Sequence, residues 1–246
     1  MSDEQNLGEQ ALGKIAEIAI TSQLDETKDV NVDISTDPLK IMQGKVDAVS
    51  ITGEGMVMKQ DLRVEALGVS IDSVSIDPIK AIVGEIELTE PANAQVQVLL
   101  TEADINRALS SAYLRDKMQN LTIQAQGNTV LFDIQEARLR LPRTGEMDLD
   151  VSLLLKPEDD VKQFSATARP FLEDDGQRIA LEILNAEGQG LTLEFVTILM
   201  EKIIELLDLR NFDLNGTSIR LKDFDIQAGK VLIRGASVVD KFSSKQ

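Results

Sequence analysis

The chain has 246 residues, 43% of them hydrophobic, and carries a net charge of −17 with neither Cys nor His. This length allows one large domain or two small ones, and the hydrophobic fraction is that of a folded protein. The missing Cys and His exclude disulfides, thiolate catalysis and the commonest general base. The negative charge argues against nucleic-acid binding, which depends on contacts of Lys and Arg with phosphates.

Aromatic residues are few and unevenly placed: the chain has seven Phe, one Tyr and no Trp, and the first of them in sequence is Tyr113. The core of the N-terminal part must therefore be built from Val, Ile, Leu and Met. Such an aliphatic interior offers no stacking surface for a nucleotide base or a flavin ring. It suits acyl chains, but it suits a plain filled core equally well.

The first predicted element is an amphipathic helix over residues 7–24. Its apolar residues recur every three or four positions, which is the period of one helical face: Leu7, Ala11, Ile15 and Ile18, followed by Ser22. This face could lie on a membrane surface or against the core. Surface-seeking helices are usually basic on their polar side, whereas this one has a single Lys, so packing against the core is favoured.

Residues 30–100 are predicted to form mainly β-strands, because apolar and polar residues alternate along them. In the segment GVSIDSVSIDP, Val69 and Ile71 share one phase of this alternation, whereas Val74 and Ile76 have the opposite phase. A phase change inside an apolar run indicates a bulge or a sharp bend. A strongly curved sheet requires such features.

Two segments of this β region resemble each other, DPLKIMQGK at residues 37–45 and DPIKAIVGE at residues 77–85. In each, Asp-Pro is followed by an apolar residue and Lys, and a Gly lies six residues after the Pro. Asp-Pro starts a turn, a short helical turn follows, and Gly permits the next strand to begin. A repeated strand–turn–strand unit and a chance likeness of short turns are both open at this point.

A second helix is predicted over residues 101–118. Thr101 and Asp104 at its start have the form of a capping box, which satisfies the free N–H groups of a first helical turn. Ile105 and Leu109 mark one apolar face of this helix. Further strands are predicted after it and again at the C-terminal end of the chain.

The third helix, predicted over residues 192–209, is apolar on most sides. Such a helix must be enclosed by a sheet or line a cavity. Four of its apolar residues recur every four positions and drift only slowly around one face. We predict that they line a groove: Phe195, Leu199, Ile203 and Leu207. Ile105 and Leu109 of the second helix are predicted to line the same groove.

No catalytic residue, metal ligand or cofactor is predicted. Without His or Cys, only a Ser–Lys or a carboxylate mechanism remains, and nothing in the sequence favours either. The acidic runs at 158–160 and 173–175 lie beside Pro or Gly and are typical of solvated turns. A weak calcium site is the alternative for these runs, although the sequence contains no EF-hand pattern.

Two long stretches carry a resemblance to a known family. Residues 45–109 read KVDAVSITGEGMVMKQDLRVEALGVSIDSVSIDPIKAIVGEIELTEPANAQVQVLLTEADINRAL, and residues 219–235 read IRLKDFDIQAGKVLIRG. The VSIDSVSIDP strand, the IKAIVGEIEL segment and the LTEADINRAL helix start of the first stretch resemble the LmeA-like phospholipid-binding family of bacteria. The second stretch resembles the closing strands of that family. These are strand-and-turn patterns and not catalytic signatures.

The resemblance implies an elongated fold related to the tubular lipid-binding proteins. We therefore expect an α+β fold with a single domain over residues 1–246. In it, a strongly curved antiparallel sheet would wrap around one or two long apolar helices. The expected function is non-catalytic binding, extending to transfer, of phospholipid or fatty acid in an apolar groove. The alternative is a structural or adaptor protein with a solid core that acts through a protein partner.

The sequence also gives an expectation for location. The first twenty residues lack the basic and continuous apolar regions of a secretory signal. The longest apolar segment, 191–209, carries too many charges to span a bilayer. We therefore expect a cytoplasmic protein that can contact a membrane peripherally. Exported members of the family carry a signal or an anchor, and the form without one resembles cyanobacterial relatives.

Overall fold

The computed structural model describes residues 2–58, 61–82, 87–125, 127–156, 160–173, 176, 178–188, 190–206 and 217–239. Helices α1 to α6 of this part of the chain are Ser2–Thr21, Pro38–Met42, Pro78–Ile82, Glu102–Leu109, Ala112–Lys117 and Leu193–Leu206. Strands β1 to β11 are Asp29–Ser35, Lys45–Met58, Leu62–Ser75, Ala92–Thr101, Leu121–Ala125, Asn128–Arg143, Glu146–Lys156, Asp160–Glu173, Arg178–Gly188, Thr217–Gln227 and Lys230–Val239.

The strands form two antiparallel sheets instead of the single sheet predicted. The first has the order β1-β2-β3-β4-β11-β10, and the second is a meander in the order β5-β6-β7-β8-β9. One sheet is strongly curled, so the prediction of a curved antiparallel architecture is confirmed. Long apolar helices inside it are not confirmed. Among the described helices, the longest is α1, which has 20 residues of mixed character, and the strongly apolar α6 has 14.

The phase change predicted in β3 is confirmed. Ser73 adopts a left-handed backbone conformation with φ of +59°. Ile71 and Val74, which lie on either side of it and would face opposite sides of a regular strand, are both buried in one apolar cluster. The irregular residue therefore keeps the apolar residues of both halves of the strand in the core.

The second predicted helix is divided into two. The capping box is present as predicted, because Thr101 Oγ1 accepts from the Asp104 N–H and the Asp104 carboxylate accepts from the Thr101 N–H. Helix α4 ends at Leu109, and Ser111 then caps α5 by accepting from the Leu114 N–H at 3.2 Å. The helix is interrupted at Ser110 and Ser111, where the Ser111 side chain binds the backbone and starts a new helix.

Helix α1 packs on the edge strand β1, in agreement with the favoured prediction. The face that it uses overlaps the predicted one only in part, since Ile15 of the predicted stripe is half-buried. Leu12, Ala16 and Ile20 are half-buried, whereas Ile18, which the predicted stripe placed on the inner face, is 63% exposed. Leu12, Ala16 and Ile20 also follow a helical period, so the spacing alone could not decide between the two faces.

The described residues form a core of three connected apolar clusters. The main core fills the space enclosed by α4, α5, α6 and the second sheet. We call the other two, on the first sheet, the middle cluster (Met56, Val64 and Val98) and the distal cluster (Val46, Ile71, Val74, Ile76, Leu88, Ala92 and Ala94). Met58, Leu100 and Ile233 pack against both the main core and the middle cluster, and Val96 packs against both the middle and the distal cluster.

Candidate functional site

An apolar cavity lies where the two sheets meet at α4. This helix contacts β3 and β4 of the first sheet and β6 of the second. The cavity has a volume of about 140 Å³ and is partly open to the surface. Its lining is formed by Met58, Leu62, Arg63, Val64, Leu100, Asp104, Ile105, Ala108, Leu139, Leu141, Met147, Pro170, Ile179, Ile204, Leu221, Phe224, Ile226, Val231 and Ile233.

The cavity wall is aliphatic except for one aromatic ring and one ion pair. The ion pair joins Arg63 and Asp104, and Arg63 also contacts Glu65 at 2.7 Å. The Asp104 side chain is only 2% exposed, and its second oxygen accepts from the Thr101 N–H and hydroxyl. Hydrogen bonds from Arg63 to Asp104 and then to Glu65 raise the pKa of the guanidinium. Both charges are thus compensated within the wall, as buried charges require.

The volume limits what the cavity holds in this conformation. Pockets for drug-sized ligands usually measure about 300–1,000 Å³, whereas a dry cavity of about 150 Å³ holds a single benzene ring. A cavity of about 140 Å³ therefore accommodates only a short stretch of an acyl chain. A complete long chain requires the surrounding elements to move apart.

One of the six predicted groove residues lines this cavity. Ile105 does so, and α6 contributes Ile204. Leu109, Phe195, Leu199 and Ile203 are buried in the main core but do not line the cavity. Leu207 lies outside the described residues. A role in lipid contact stays a prediction for these residues.

Phe195, Leu199 and Ile203 lie on the buried face of α6, as the helical period predicted. Leu199 and Ile203 are completely buried, and the ring of Phe195 packs against Phe132 with 6.0 Å between the ring centroids. The exposed face carries Glu194 and Glu201. The predicted apolar face therefore points into the protein, toward β5 and β9.

Most of the cavity lining was missed by the sequence analysis, because it comes from strands far apart in sequence. Val231 and Ile233 reach the cavity because β11 returns to pair with β4, placing Ile233 opposite Val98. Alternation within each strand shows which residues share a face. It does not show which sheets face each other, so no signal within a single strand could have identified these residues.

A second, wider cleft of about 870 Å³ lies on the second sheet and is more polar. Its lining includes Glu136, Arg138, Asp150, Lys162 and Glu187. Acyl chains gain free energy from leaving water for apolar surroundings, which this cleft does not supply. The smaller, apolar cavity is therefore the better candidate for a lipid site.

The described part of the chain offers neither a metal site nor a membrane-spanning helix. It contains no group of three or more acidic residues arranged to hold a metal ion. None of its helices combines the length and the apolar character needed to cross a membrane.

The fold and the cavity define a class of protein: a β-rich protein in which two antiparallel sheets enclose an apolar site next to a helix. The sequence model of the LmeA-like phospholipid-binding family matches residues 3–236. The chain belongs to this family, and the predicted resemblance is confirmed. A comparison with curated proteins and one with solved structures returned no match.

Proposed function

We propose that this protein binds phospholipid without catalysis and holds part of an acyl chain in the cavity at α4. The observation that carries the proposal is the aliphatic lining, in which the two charged side chains, Arg63 and Asp104, compensate each other. The family is described as phospholipid-binding, which supports the same ligand class. Fatty acid is a second ligand of the same chemistry, and we also propose that the protein transfers lipid between membranes.

Burial of the acyl chain supplies the driving force. Each methylene that leaves water contributes about 0.8 kcal/mol, so a segment of about five methylenes contributes roughly 4 kcal/mol before ordering costs. A longer segment contributes more but must widen the cavity. No metal, nucleotide or covalent step is needed for this binding, and we propose that none takes part.

Helix α6 is the element that we propose moves when the cavity widens. It already provides Ile204 to the lining, and Leu199 and Ile203 are completely buried on the same helix. A displacement of α6 would therefore expose further aliphatic surface to the ligand. This is how the predicted residues of α6 could contact lipid although they lie outside the cavity in its present size.

Replacing Ala108 by Phe tests the proposal. Ala108 lines the cavity and is 7% exposed, so a phenyl ring there would occupy the space proposed for the acyl chain. Ala103 is exposed on the same helix, and Ala103→Phe is the matched control. The affinity for a fluorescent phosphatidylcholine should fall at least tenfold in Ala108→Phe and stay unchanged in Ala103→Phe.

The unfolding free energy of the apo protein completes the test. A Phe placed in a filled core costs about 1–3 kcal/mol through overpacking, whereas a Phe that fills an empty cavity costs less. If Ala108→Phe is folded and binds lipid like the unchanged protein, the cavity is not the site. If neither Ala108→Phe nor the unchanged protein binds lipid, the alternative of an adaptor with a solid core is supported.

A further inference from the structure

The first sheet ends in a pair of protruding turns with exposed apolar side chains. These are α2 and α3, which lie within the two related Asp-Pro segments found in the sequence. Leu39 and Met42 of α2 are 68% and 77% exposed, and Ile79 of α3 is 76% exposed. Apolar side chains as exposed as these, grouped at one end of a molecule, mark an interaction surface.

The two turns lie side by side and are held in place by hydrogen bonds. Gly44 follows α2, and its carbonyl accepts from the Ile76 N–H at 2.7 Å, immediately before the Asp-Pro of α3. In each turn the Asp side chain caps the short helix, since Asp37 accepts from the Leu39 N–H and Asp77 from the Ile79 N–H, both at 2.8 Å. Each cap fixes the backbone of the exposed apolar residue, which is thus presented by a rigid turn.

We propose that these two turns dock the protein on a bilayer of zwitterionic phospholipid. We define them, by Leu39, Met42 and Ile79, as the docking tip. A stable protein partner usually covers about 800 Å² on each side. Three side chains on two single-turn helices offer much less than that, but they suffice to enter the boundary between headgroups and acyl chains.

The charges around the docking tip fit zwitterionic headgroups. Each turn carries one Lys, and each Lys is paired with a carboxylate: Lys40 with Asp47 at 2.7 Å, and Lys80 with Glu87. The surface around the docking tip thus presents positive and negative groups in pairs, as a zwitterionic headgroup does. The charged groups of the protein can therefore exchange partners with those of the headgroups. An anionic surface would instead repel a chain of net charge −17.

The docking tip is joined to the cavity by apolar contacts. The distal cluster lies directly below the two turns, since it contains Val46, Val74 and Ile76. Beyond it, Ile51, Val69 and Val96 are paired across β2, β3 and β4 and are all half-buried. Val96 leads to the middle cluster, which shares residues with the main core. The apolar path follows the length of β3, about 40 Å from end to end.

This inference rests on the proposed function for its purpose, because the path would carry an acyl chain between the bilayer and the cavity. Its test is separate from that of the cavity. Leu39→Ser/Ile79→Ser removes two apolar side chains from the docking tip. Ile18→Ser/Leu193→Ser removes two that are 63% exposed elsewhere and serves as the matched control.

The first measurement is flotation with phosphatidylcholine vesicles. The association constant should fall at least tenfold for Leu39→Ser/Ile79→Ser, since each side chain loses its burial in the bilayer, and should not change for the control. Equal flotation of the docking-tip variant and the unchanged protein would overturn the proposal. An equal loss in the control, or binding that rises when anionic lipid is added, would overturn it too.

The second measurement uses monomeric dihexanoylphosphatidylcholine, which is presented without a bilayer. Leu39→Ser/Ile79→Ser should bind it like the unchanged protein, whereas Ala108→Phe should lose this binding and still float with vesicles. If the docking-tip variant also loses monomer binding, the docking role is overturned, because the change then acts on the cavity. Vesicle binding by a protein that never binds the monomer would support the docking tip and contradict the proposed cavity.

Discussion

The side chain of Asn106 on α4 takes the place of a neighbouring strand for Leu139 on β6. Its Oδ1 accepts from the Leu139 N–H at 2.9 Å, and its Nδ2 donates to the Leu139 carbonyl at 2.7 Å. On this side β5 pairs with β6 only as far as Phe132, so none of the described strands pairs with the edge at Leu139. Glu102 completes the cover by accepting from the Leu141 N–H at 2.9 Å. Helix α4 is thereby fixed to the second sheet, at the wall of the cavity.

Asn106→Ala should destabilise the protein strongly. It leaves one donor and one acceptor of Leu139 without partners, each at a cost of about 1–3 kcal/mol when buried, and we expect a loss of roughly 2–4 kcal/mol in urea denaturation. Asn106→Asp should also destabilise, because a carboxylate cannot donate to the Leu139 carbonyl. Asn93→Ala, at an exposed position of β4, should change little. Stability unchanged in both Asn106 variants would show that the two hydrogen bonds do not hold α4.

A pair of glycine substitutions tests the contact between the two sheets. Gly176 and Gly145 both have positive φ, +83° and +75°. A Cβ on Gly176 would lie 1.7 Å from the carbonyl oxygen of Leu221, which lines the cavity, whereas a Cβ on Gly145 would meet nothing within 4 Å. Gly145→Ala should cost about 1–2 kcal/mol through its backbone conformation alone. Gly176→Ala should cost clearly more in thermal denaturation, and equal losses would mean that the approach to Leu221 is not close.

The carboxylate of Asp133 should contribute a pH-dependent part of the stability. Burial alone would raise its pKa, but hydrogen bonds from Lys156 and from the Asn120 N–H, both at 2.7 Å, outweigh burial and lower the pKa. A lowered folded-state pKa stabilises the protein above the unfolded value of about 3.9, and this contribution is lost as the pH falls through the folded value.

Comparing Asp133→Asn with the unchanged protein in urea at several pH values measures this contribution. The variant should be less stable by on the order of 1–3 kcal/mol at pH 7, and the difference should shrink below about pH 4. Asp160→Asn is the control, because Asp160 pairs with Lys162 at a half-exposed position and should show almost no difference. A difference for Asp133→Asn that is the same at pH 3 and pH 7 would contradict this account.

Leu199 distinguishes a filled core from a wide groove. It is completely buried and lies outside the cavity lining. Leu199→Ala should therefore cost roughly 2–5 kcal/mol in the apo protein, through lost contacts and a new void. Ile198→Ala, on a half-buried position of the same helix, should cost less. A loss below about 1 kcal/mol for Leu199→Ala would mean that mobile contents already surround this side chain, as a wide groove implies.

Local features of the fold could be predicted from the sequence because they depend on neighbouring residues. The capping box of Thr101 and Asp104 and the irregularity at Ser73 between Ile71 and Val74 are of this kind. The Asp-Pro turns are another example, since Pro38 and Pro78 each begin a short helix. In each case the sequence signal is local. It is either a side chain that caps a nearby N–H or a break in the alternation of apolar and polar residues.

The division into two sheets could not be predicted in the same way. It depends on the pairing of β11 with β4, although all strands of the second sheet lie between these two in sequence. It also depends on Asn106, which covers the edge of β6. Ile105 was identified as a site residue because its helical face is evident from spacing. Val231, which also lines the cavity, was not, because only the completed sheet brings it there.

The most direct test of the proposed function is to locate a bound acyl chain in the protein. A phosphatidylcholine with a photoreactive diazirine in its acyl chain is bound, irradiated, and its attachment sites are mapped by tandem mass spectrometry. The proposed function predicts attachment at α4 and at the strands around the cavity, at residues such as Ile105, Ala108 and Val231, and the loss of this attachment in Ala108→Phe. Attachment concentrated at the polar cleft of the second sheet, around Glu136 and Lys162, or attachment that Ala108→Phe leaves unchanged, would contradict it.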